Sequence, residues 1–215
     1  MLAAAHRRFW VKSPATIELQ KLGSPYGGWT VPVNVIKPGW ICYCGGVGED
    51  TTFDAELVGR GCQVFAFDPT PRAVEHVARN PLGEKFHFLP VGLWSCQQRM
   101  EFFIASDEQF SSASLVFHRQ GTRCCEALCK SVPQLMGELG HRRVDLLKLD
   151  IEGAEYEVLK CVLSGEVVPT ILCVEFDQPA SPWKMNQTVA GLRSRRYGLV
   201  AVDELNYTFL NPSSH

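Results

Sequence analysis

Three charged residues at alternate positions close an apolar stretch in the second half of the chain. Lys148, Asp150 and Glu152 stand in VDLLKLDIEGAEYEVL, residues 144–159. In an extended strand, alternation places all three on one side, opposite the apolar residues between them. Burying charged side chains at the end of a strand costs free energy unless they form ion pairs or hydrogen bonds. The pattern therefore indicates either a chemical site, with a carboxylate able to take a proton, or a structural ion pair between Lys148 and Glu152.

A second set of candidate residues follows two earlier apolar runs. Gly46 and Gly48 come after WICYC, with Glu49 and Asp50 next, and Asp68 lies 20 residues beyond Gly48. Glycines let a backbone approach a ligand at the start of a helix, although a purely structural turn has the same composition. A carboxylate in the place of Asp68 can accept both hydroxyls of an adenosine ribose; the alternative is charge compensation at a helix N-terminus. Together, the two features favour a nucleoside-bearing cofactor.

The residue types narrow the choice of cofactor. A dinucleotide site needs G-x-G-x-x-G, and reading from Gly46 gives G-V-G-E-D-T, with Thr51 in the third glycine's place. Glu49 and Asp50 would repel a pyrophosphate but would suit a cation. S-adenosylmethionine carries a ribose, a sulfonium and an ammonium but no phosphate, so it fits better. The sequence contains no G-x-x-x-x-G-K-[ST], which excludes a P-loop.

These residues need a scaffold that brings strand ends together. Apolar runs alternate with amphipathic stretches along the chain, which predicts one mostly parallel sheet covered by helices on both faces. Ligands bind such sheets beyond the carboxyl ends of the strands. The predicted strands are 40–44, 63–67, 86–92, 144–150, 170–176 and the closing runs YGLVAVD and NYTFL. The predicted helices are 51–61, one beginning at Thr70-Pro71, 131–140, 153–163 and 185–196.

The segment before this sheet predicts a hairpin. Residues 16–22 and 29–35 read as two short strands around the turn signal SPYGG. The turn has two interpretations. Tyr26 or Trp29 covers the cofactor and stacks on adenine or acceptor, or the segment is a plain hairpin turn with a tryptophan in the core. Residues 93–130 are less regular, with one strand-like run at 100–105.

The stretch LLKLDIEGAEYEVL resembles the signature of the FkbM family of S-adenosylmethionine-dependent methyltransferases. GVGEDTTFDAEL and VFAFDPTP stand where that family has its glycine motif and its ribose-binding acidic residue, and the resemblance runs from about Tyr26 to Phe176. It implies a class I, Rossmann-like fold of seven strands with the last one antiparallel, and S-adenosylmethionine over the first two. It also implies O-methyl transfer to sugars, glycans or secondary metabolites. Cys44 departs from the family, which often has an acidic residue at that strand end.

The candidate site follows from these motifs. Asp150 is the first candidate for a general base, with Glu152, Glu175 and His118 as alternates, and Lys148 would hold a carboxylate ionised. With Cys44 at the strand end, Glu49 or Asp50 takes over the contact to the methionine ammonium. The predicted cofactor-binding residues are Gly46, Gly48, Glu49, Asp50, Asp68, Pro69, Gly92 and Asp150. A magnesium ion shared by Asp150, Glu152 and Glu175 is conceivable, but nothing demands a metal.

Composition sets the remaining bounds. The 215 residues carry 46% hydrophobic and 20% charged residues and a net charge of −2, and this length predicts one domain with appendages. With the hairpin placed before the sheet, we expect an N-terminal extension over 1–38 and the main domain over 39–215. The charge balance argues against nucleic-acid binding. The lack of a long apolar run argues against a membrane span, and the N-terminus lacks the charge order of a secretory signal. We therefore expect a cytoplasmic protein with reduced cysteines, mostly buried, acting on a small-molecule or glycan acceptor.

Two other functions remain open at this point. One is a nucleotide-binding oxidoreductase on a similar sheet, against which the missing third glycine argues. The other is a binding module that keeps the methyltransferase fold without transfer, which Cys44 leaves open. The acceptor itself is not encoded in a motif; loops at 106–123 and 177–188 are the candidate acceptor segments.

Overall fold

The computed structural model describes residues 16–104, 113–114, 123–176 and 181–212. In chain order its strands are β1 (Leu19–Leu22), β2 (Trp29–Pro32), β3 (Ile41–Gly45), β4 (Gln63–Phe67), β5 (Phe86–Leu89), β6 (Gly92–Leu93), β7 (Gln98–Ile104), β8 (Ala113–Ser114), β9 (Arg123–Lys130), β10 (Leu146–Leu149), β11 (Ile171–Glu175), β12 (Gly198–Asp203) and β13 (Asn206–Leu210). Its helices are α1 (Thr52–Gly59), α2 (Pro71–Arg79), α3 (Val132–Leu139), α4 (Glu155–Ser164) and α5 (Pro182–Ser194).

The main sheet has seven strands in the order β12-β13-β11-β10-β3-β4-β5. The pairs from β11 to β5 are parallel, while β13 runs antiparallel to both of its neighbours. This confirms the predicted α/β fold with its last strand antiparallel. The chain moves outward from β3 to β5 and then returns to β10 on the other side of β3. The direction in which successive strands are added therefore reverses between the neighbouring strands β3 and β10, and the carboxyl ends of these strands form the switch point where such sheets bind ligands.

The main sheet is apolar on both faces because helices cover both. All four residues of β10 are buried, Lys148 among them, as a parallel strand between two layers requires. Cys42, Cys44, Cys62 and Cys173 are buried free thiols in or beside these strands, which confirms their prediction as small core residues. The core strands therefore leave only their carboxyl ends for chemistry.

Helix starts follow the predicted capping signals. The Thr70 side chain accepts a hydrogen bond from the Ala73 amide, with Pro71 in the first turn of α2. Ser131 caps α3 in the same way, and Gly140 ends it with φ 72°. The last helix begins three residues earlier than predicted, at Pro182, because Ser181 supplies its cap.

The predicted hairpin is present as the antiparallel pair β1–β2. Both strands are shorter than predicted, and β2 ends at Pro32, which has no amide hydrogen to continue the ladder. The hairpin packs against β12 and β13, the two strands at one edge of the main sheet. Thr208 Oγ1 donates to the Thr30 carbonyl at 2.8 Å, and Lys21 Nζ lies 3.2 Å from Asp203.

One prediction about the middle of the chain is wrong. The run 86–92 is not one strand: β5 ends at Leu89, and β6 joins a separate four-stranded sheet of order β6-β9-β7-β8. Pro90 breaks the ladder between them because it cannot donate. The sequence also showed 93–130 as largely irregular, whereas β7 and β9 form a regular antiparallel pair there.

Candidate active site

One open cavity at the switch point collects the predicted site residues. Its lining includes all the predicted catalytic and cofactor-binding residues except Glu175 and the alternate base His118, which lies outside the described residues. The predicted residues in the lining are Gly46, Gly48, Glu49, Asp50, Asp68, Pro69, Gly92, Lys148, Asp150 and Glu152. Glu175, at the end of β11, reaches the site through a hydrogen bond to Asp150. Residues separated by a hundred positions therefore meet at the carboxyl ends of β3, β4 and β10.

The glycine loop after β3 lies against the end of β10. Gly46 has φ 80°, and a Cβ built on it would stand 1.6 Å from the Asp150 carbonyl oxygen. Its amide donates to the Phe67 carbonyl at 3.0 Å. No residue with a side chain fits this position without moving the backbone, so Gly46 fixes the floor of the cavity.

Gly92 has a different task, which concerns packing. A Cβ there would meet the Cys129 sulfur at 2.6 Å and the Phe102 ring at 3.0 Å. Phe102 is itself buried and lines the cavity. Gly92 therefore lets the second sheet close against one side of the site.

The Asp68 carboxylate fastens the glycine loop to the end of β4. One oxygen accepts from the amides of Val47 and Gly48, both at 2.9 Å. The other accepts from the amide and hydroxyl of Thr70, at 2.8 and 2.6 Å. These four donors match the four acceptor positions of a carboxylate. Ribose recognition by Asp68 stays a prediction, and a ribose hydroxyl would share an oxygen that already holds the loop.

Lys148 lies buried beneath the loop and carries its charge there. Its Nζ donates to the Gly46 carbonyl at 2.7 Å and lies 3.1 Å from the Asp150 carboxylate. Burial opposes the charge, but the carboxylates of Asp150 and Asp54 outweigh it and raise the pKa of Lys148 above its usual value. The ion pair of Lys148 is thus with Asp150, and not the predicted alternative pair with Glu152.

Asp150 is held in its ionised form. Burial alone would raise its pKa, but the Lys148 ammonium and the hydrogen bonds that Asp150 shares with Glu175 and Lys148 lower it below the usual value. Its side chain remains 29% exposed toward the cavity. Asp150 is therefore a strong hydrogen-bond acceptor and a weak base in the free protein.

Asp54 is a buried acidic residue near the site that the sequence reasoning missed. It lies on α1, is 2% exposed and hydrogen-bonds the Cys44 thiol. Burial raises its pKa, although the nearby Lys148 charge works in the other direction. A carboxylate next to the end of β3, where the family often has an acidic residue, therefore comes from the neighbouring helix. The available signal was an aspartate among Phe53 and Leu57 on the apolar face of that helix.

Glu155 is the second missed residue. It is fully buried at the start of α4, and its carboxylate accepts from the amides of Ile151 and Gly153 at 3.0 to 3.2 Å. Between them stands Glu152, with φ 52°. Glu155 is therefore a positioning residue: it holds the turn that presents Glu152 to the cavity. A glutamate in the first turn of a predicted helix was the signal.

The two aromatic residues of the turn YGGW lie in different environments. Trp29 is 1% exposed in the core, whereas Tyr26 is 82% exposed and lines the cavity with Gly27. The tryptophan is thus the core residue of one interpretation, and the tyrosine stands where the other interpretation needs an aromatic ring.

The charges of the cavity are mainly negative. Its described lining holds the carboxylates of Glu49, Asp50, Asp68, Asp150 and Glu152 and the single ammonium of Lys148. Arg72 lies outside this lining, 4.0 Å from Glu49. Such a surface favours a cationic ligand and disfavours a pyrophosphate.

Some predictions concern residues that the structure does not describe or sites that it does not contain. Of the candidate acceptor segments 106–123 and 177–188, residues 106–112, 115–122 (with His118) and 177–180 lie outside the described residues. Across the described ranges, no three metal-ligating side chains cluster. Within the same ranges, no helix is long and apolar enough to cross a bilayer.

A mostly parallel sheet with a glycine loop and acidic residues at its switch point is the architecture of class I, Rossmann-like methyltransferases. A sequence model of the methyltransferase FkbM domain matches residues 41–198. The chain therefore belongs to the FkbM methyltransferase family. The match begins later than the predicted resemblance, so the β1–β2 hairpin precedes the matched domain.

Individual relatives are more distant. The chain is 24% identical over 135 residues to a rat protein named "Probable methyltransferase-like protein 24", and 25% identical over 130 residues to the human protein of that name. Each match covers 60% of this chain and 30% of the relative. Among solved structures, a Methanococcus jannaschii fibrillarin pre-rRNA processing protein aligns with a TM-score of 0.45 at 11% identity, over 92% of this chain and 83% of that one.

Proposed function

We propose that this protein is an S-adenosylmethionine-dependent methyltransferase that methylates a hydroxyl group of a sugar, glycan or small metabolite. The observation that carries the proposal is the acidic cavity beyond β3 and β10, walled by a loop in which Gly46 and Gly48 lack Cβ atoms. A ligand with a ribose, a sulfonium and an ammonium complements that cavity, and its activated methyl group supplies the chemistry. We further propose that the protein is cytoplasmic and acts on neither nucleic acid nor membranes.

The described residues fit this cofactor. Gly46 and Gly48 have no side chains, so the cofactor is able to approach the loop backbone closely. The Glu49 side chain is 56% exposed at the cavity rim, where it is able to contact the ammonium group. Asp68 and Pro69 stand at the end of β4, where a ribose would lie. Asp150, ionised beside Lys148, attracts positive charge toward the centre of the site.

The protein has two tasks in the transfer itself. It must align the acceptor oxygen with the methyl carbon, and alignment of this kind contributes about 7–11 kcal/mol. It must also take the hydroxyl proton as the new carbon–oxygen bond forms and the carbon–sulfur bond breaks. The hydroxyl proton becomes strongly acidic as its oxygen is alkylated and gains positive charge, so even the weakly basic Asp150 is able to accept that proton late in the step. Glu152 in the adjacent turn is the alternate acceptor.

Two rival functions predict different ligands. An oxidoreductase would bind a dinucleotide, and both Thr51 in the third-glycine place and the carboxylates of the cavity disfavour its pyrophosphate. A methyltransferase-like binding module would hold the same cofactor as an enzyme and transfer nothing. Cys44 leaves that second rival open, although Asp54 supplies a carboxylate beside it.

Calorimetric titration with S-adenosylmethionine, S-adenosylhomocysteine and NAD tests the proposal. We expect micromolar binding of the first two and no binding of NAD. Binding of NAD alone would overturn the proposal in favour of the oxidoreductase. If S-adenosylmethionine and S-adenosylhomocysteine both bind, sugar and polyol acceptors are screened for transfer of a radiolabelled methyl group. Transfer identifies an enzyme, and its absence with every acceptor favours the inactive binding module.

A further inference from the structure

The β1–β2 hairpin, which precedes the family-matched domain, forms part of the cavity wall. The family match begins at residue 41, and the hairpin ends at Pro32. Yet Tyr26 and Gly27, in its turn, line the cavity together with the glycine loop. The wall at this side of the site is therefore particular to the segment that leads into the domain, and its shape depends on how the turn is held.

Asp50 holds the turn in place. One of its oxygens accepts from the Ser24 hydroxyl at 2.5 Å, and the other from the amide and hydroxyl of Thr52 at 2.8 and 2.6 Å. The Gly27 amide also hydrogen-bonds this carboxylate. Ser24 in turn receives the Gly27 amide at 2.8 Å. The Asp50 side chain thus joins the hairpin turn to the first turn of α1.

The close packing of the turn leaves no room for side chains at its glycines. A Cβ on Gly27 would stand 2.7 Å from the Asp50 carboxylate, and one on Gly28 would stand 2.3 Å from the Ser24 carbonyl. Gly23 has φ 89°, and a Cβ there would lie 2.9 Å from the Phe53 amide of α1. Three close approaches in six residues mean that the turn is seated on the domain rather than projecting from it.

Resting on the proposed function, we infer that the hairpin turn is a cofactor-binding element: Tyr26 covers bound S-adenosylmethionine with its ring, and Asp50 acts as the residue that positions the turn. This changes the predicted role of Asp50, whose carboxylate is engaged by the turn instead of by the methionine ammonium. An aromatic face beside a carboxylate-lined cavity suits a ligand that carries positive charge. Tyr26 keeps most of its surface in solvent in the free protein, so a ligand that covers it gains apolar contact.

Titration of four variants with S-adenosylmethionine and S-adenosylhomocysteine tests the inference. We expect Tyr26→Ala to weaken binding of both ligands about tenfold, since one covered aromatic ring is worth about 1.4 kcal/mol. Tyr26→Phe keeps the ring and stays within about twofold of wild type. Ser24→Ala, which removes a hydrogen bond outside the cavity lining, weakens binding in the same direction. Gln20→Ala, on the exposed side of β1, is the hairpin control and leaves the affinity unchanged.

A double-mutant cycle separates positioning from direct contact by Asp50. If Asp50 acts through the turn, Asp50→Asn costs less affinity in the Tyr26→Ala background than in wild type; if it binds the ligand directly, the two losses add. Additive losses, or wild-type affinity in Tyr26→Ala, overturn the inference while leaving the proposed function standing. A wild-type protein that binds neither ligand overturns the proposed function and the inference with it. Because Tyr26 is exposed, an unchanged thermal midpoint of Tyr26→Ala without ligand shows that the loss is not unfolding.

Discussion

Lys148 is the residue on which the charges of the site depend. Its ammonium is buried between two carboxylates, Asp150 and Asp54, and under the Gly46 carbonyl. A buried ion pair contributes little net stability, but removal of one partner leaves the other as an uncompensated buried charge. Its position in a buried strand was readable from the sequence. Its partner was not, because alternation places Asp150 and Glu152 on the same side.

We expect Lys148→Met to destabilise the protein by about 3–5 kcal/mol at neutral pH. The matched control is Lys160→Met, which breaks a pair between Lys160 and Glu157 at an exposed position and should cost under about 1 kcal/mol. Urea unfolding at pH 7 measures both. Equal losses in the two variants would contradict the role assigned to Lys148.

Asp150 is the residue whose substitution separates binding from turnover. We expect Asp150→Asn to lower the rate of methyl transfer by about 10²- to 10⁴-fold, while S-adenosylhomocysteine affinity falls far less. The reason is that the amide keeps the size and a hydrogen-bond acceptor but is unable to take the proton. Single-turnover assays and calorimetry on the same preparation measure the two effects. A full rate in Asp150→Asn would move the proton-accepting role to Glu152.

At the scale of elements, the glycine loop is the feature whose geometry is strictest. Gly46 and Gly39 both have positive φ, 80° and 82°. A Cβ on Gly39 meets no atom within 4 Å, whereas one on Gly46 meets the Asp150 carbonyl at 1.6 Å. The two glycines therefore separate the cost of backbone conformation from the cost of a clash.

We expect Gly39→Ala to cost about 1–2 kcal/mol of stability, the price of the left-handed conformation alone, and to leave ligand binding intact. Gly46→Ala should cost more and abolish binding of S-adenosylhomocysteine, because the loop must leave the end of β10. Thermal unfolding with and without ligand measures both variants. Retained binding in Gly46→Ala would show that the loop is able to shift without loss of the site.

The sequence predicted the elements that local patterns encode. Thr70 and Ser131 cap their helices as predicted, and the strands that carry Asp68 and Asp150 lie where apolar runs predicted them. The second sheet was missed because its pairing of β7 with β9 joins residues 19 to 31 positions apart, and no local pattern records such a partner. Asp54 and Glu155 were missed for a related reason: each looks like an ordinary helix residue until the neighbouring turn or strand is in place.

At the scale of the whole molecule, the site places two acids with opposite pKa shifts close together, the buried Asp54 and the half-buried Asp50. Burial raises the pKa of Asp54, whereas hydrogen bonds from Ser24 and Thr52 outweigh burial and lower that of Asp50. A raised carboxyl pKa means that the folded state prefers the protonated form. Stability from Asp54 is then present in acid and falls as pH rises through its folded pKa, while that from Asp50 falls as pH drops below 3.8.

We expect Asp54→Asn to stabilise the free protein at pH 7 by about 1 kcal/mol, because the substitution removes a buried charge whose Oδ1 lacks a partner in the described structure. The gain should shrink toward zero as pH falls below the folded pKa of Asp54, where wild type is itself neutral at this position. Thermal midpoints from pH 4 to 8 give the profile. A destabilised Asp54→Asn at pH 7 would mean that its attraction to Lys148 exceeds the cost of its burial.

The contact between Thr208 and Thr30 joins two positions that are 178 residues apart. During synthesis the hairpin leaves the ribosome long before β13, the strand on which it rests. Contacts this distant in sequence form late, after the intervening chain has collapsed. The hairpin that carries Tyr26 therefore completes its packing only after β13 is made, which ties one wall of the cavity to the formation of the far edge of the main sheet.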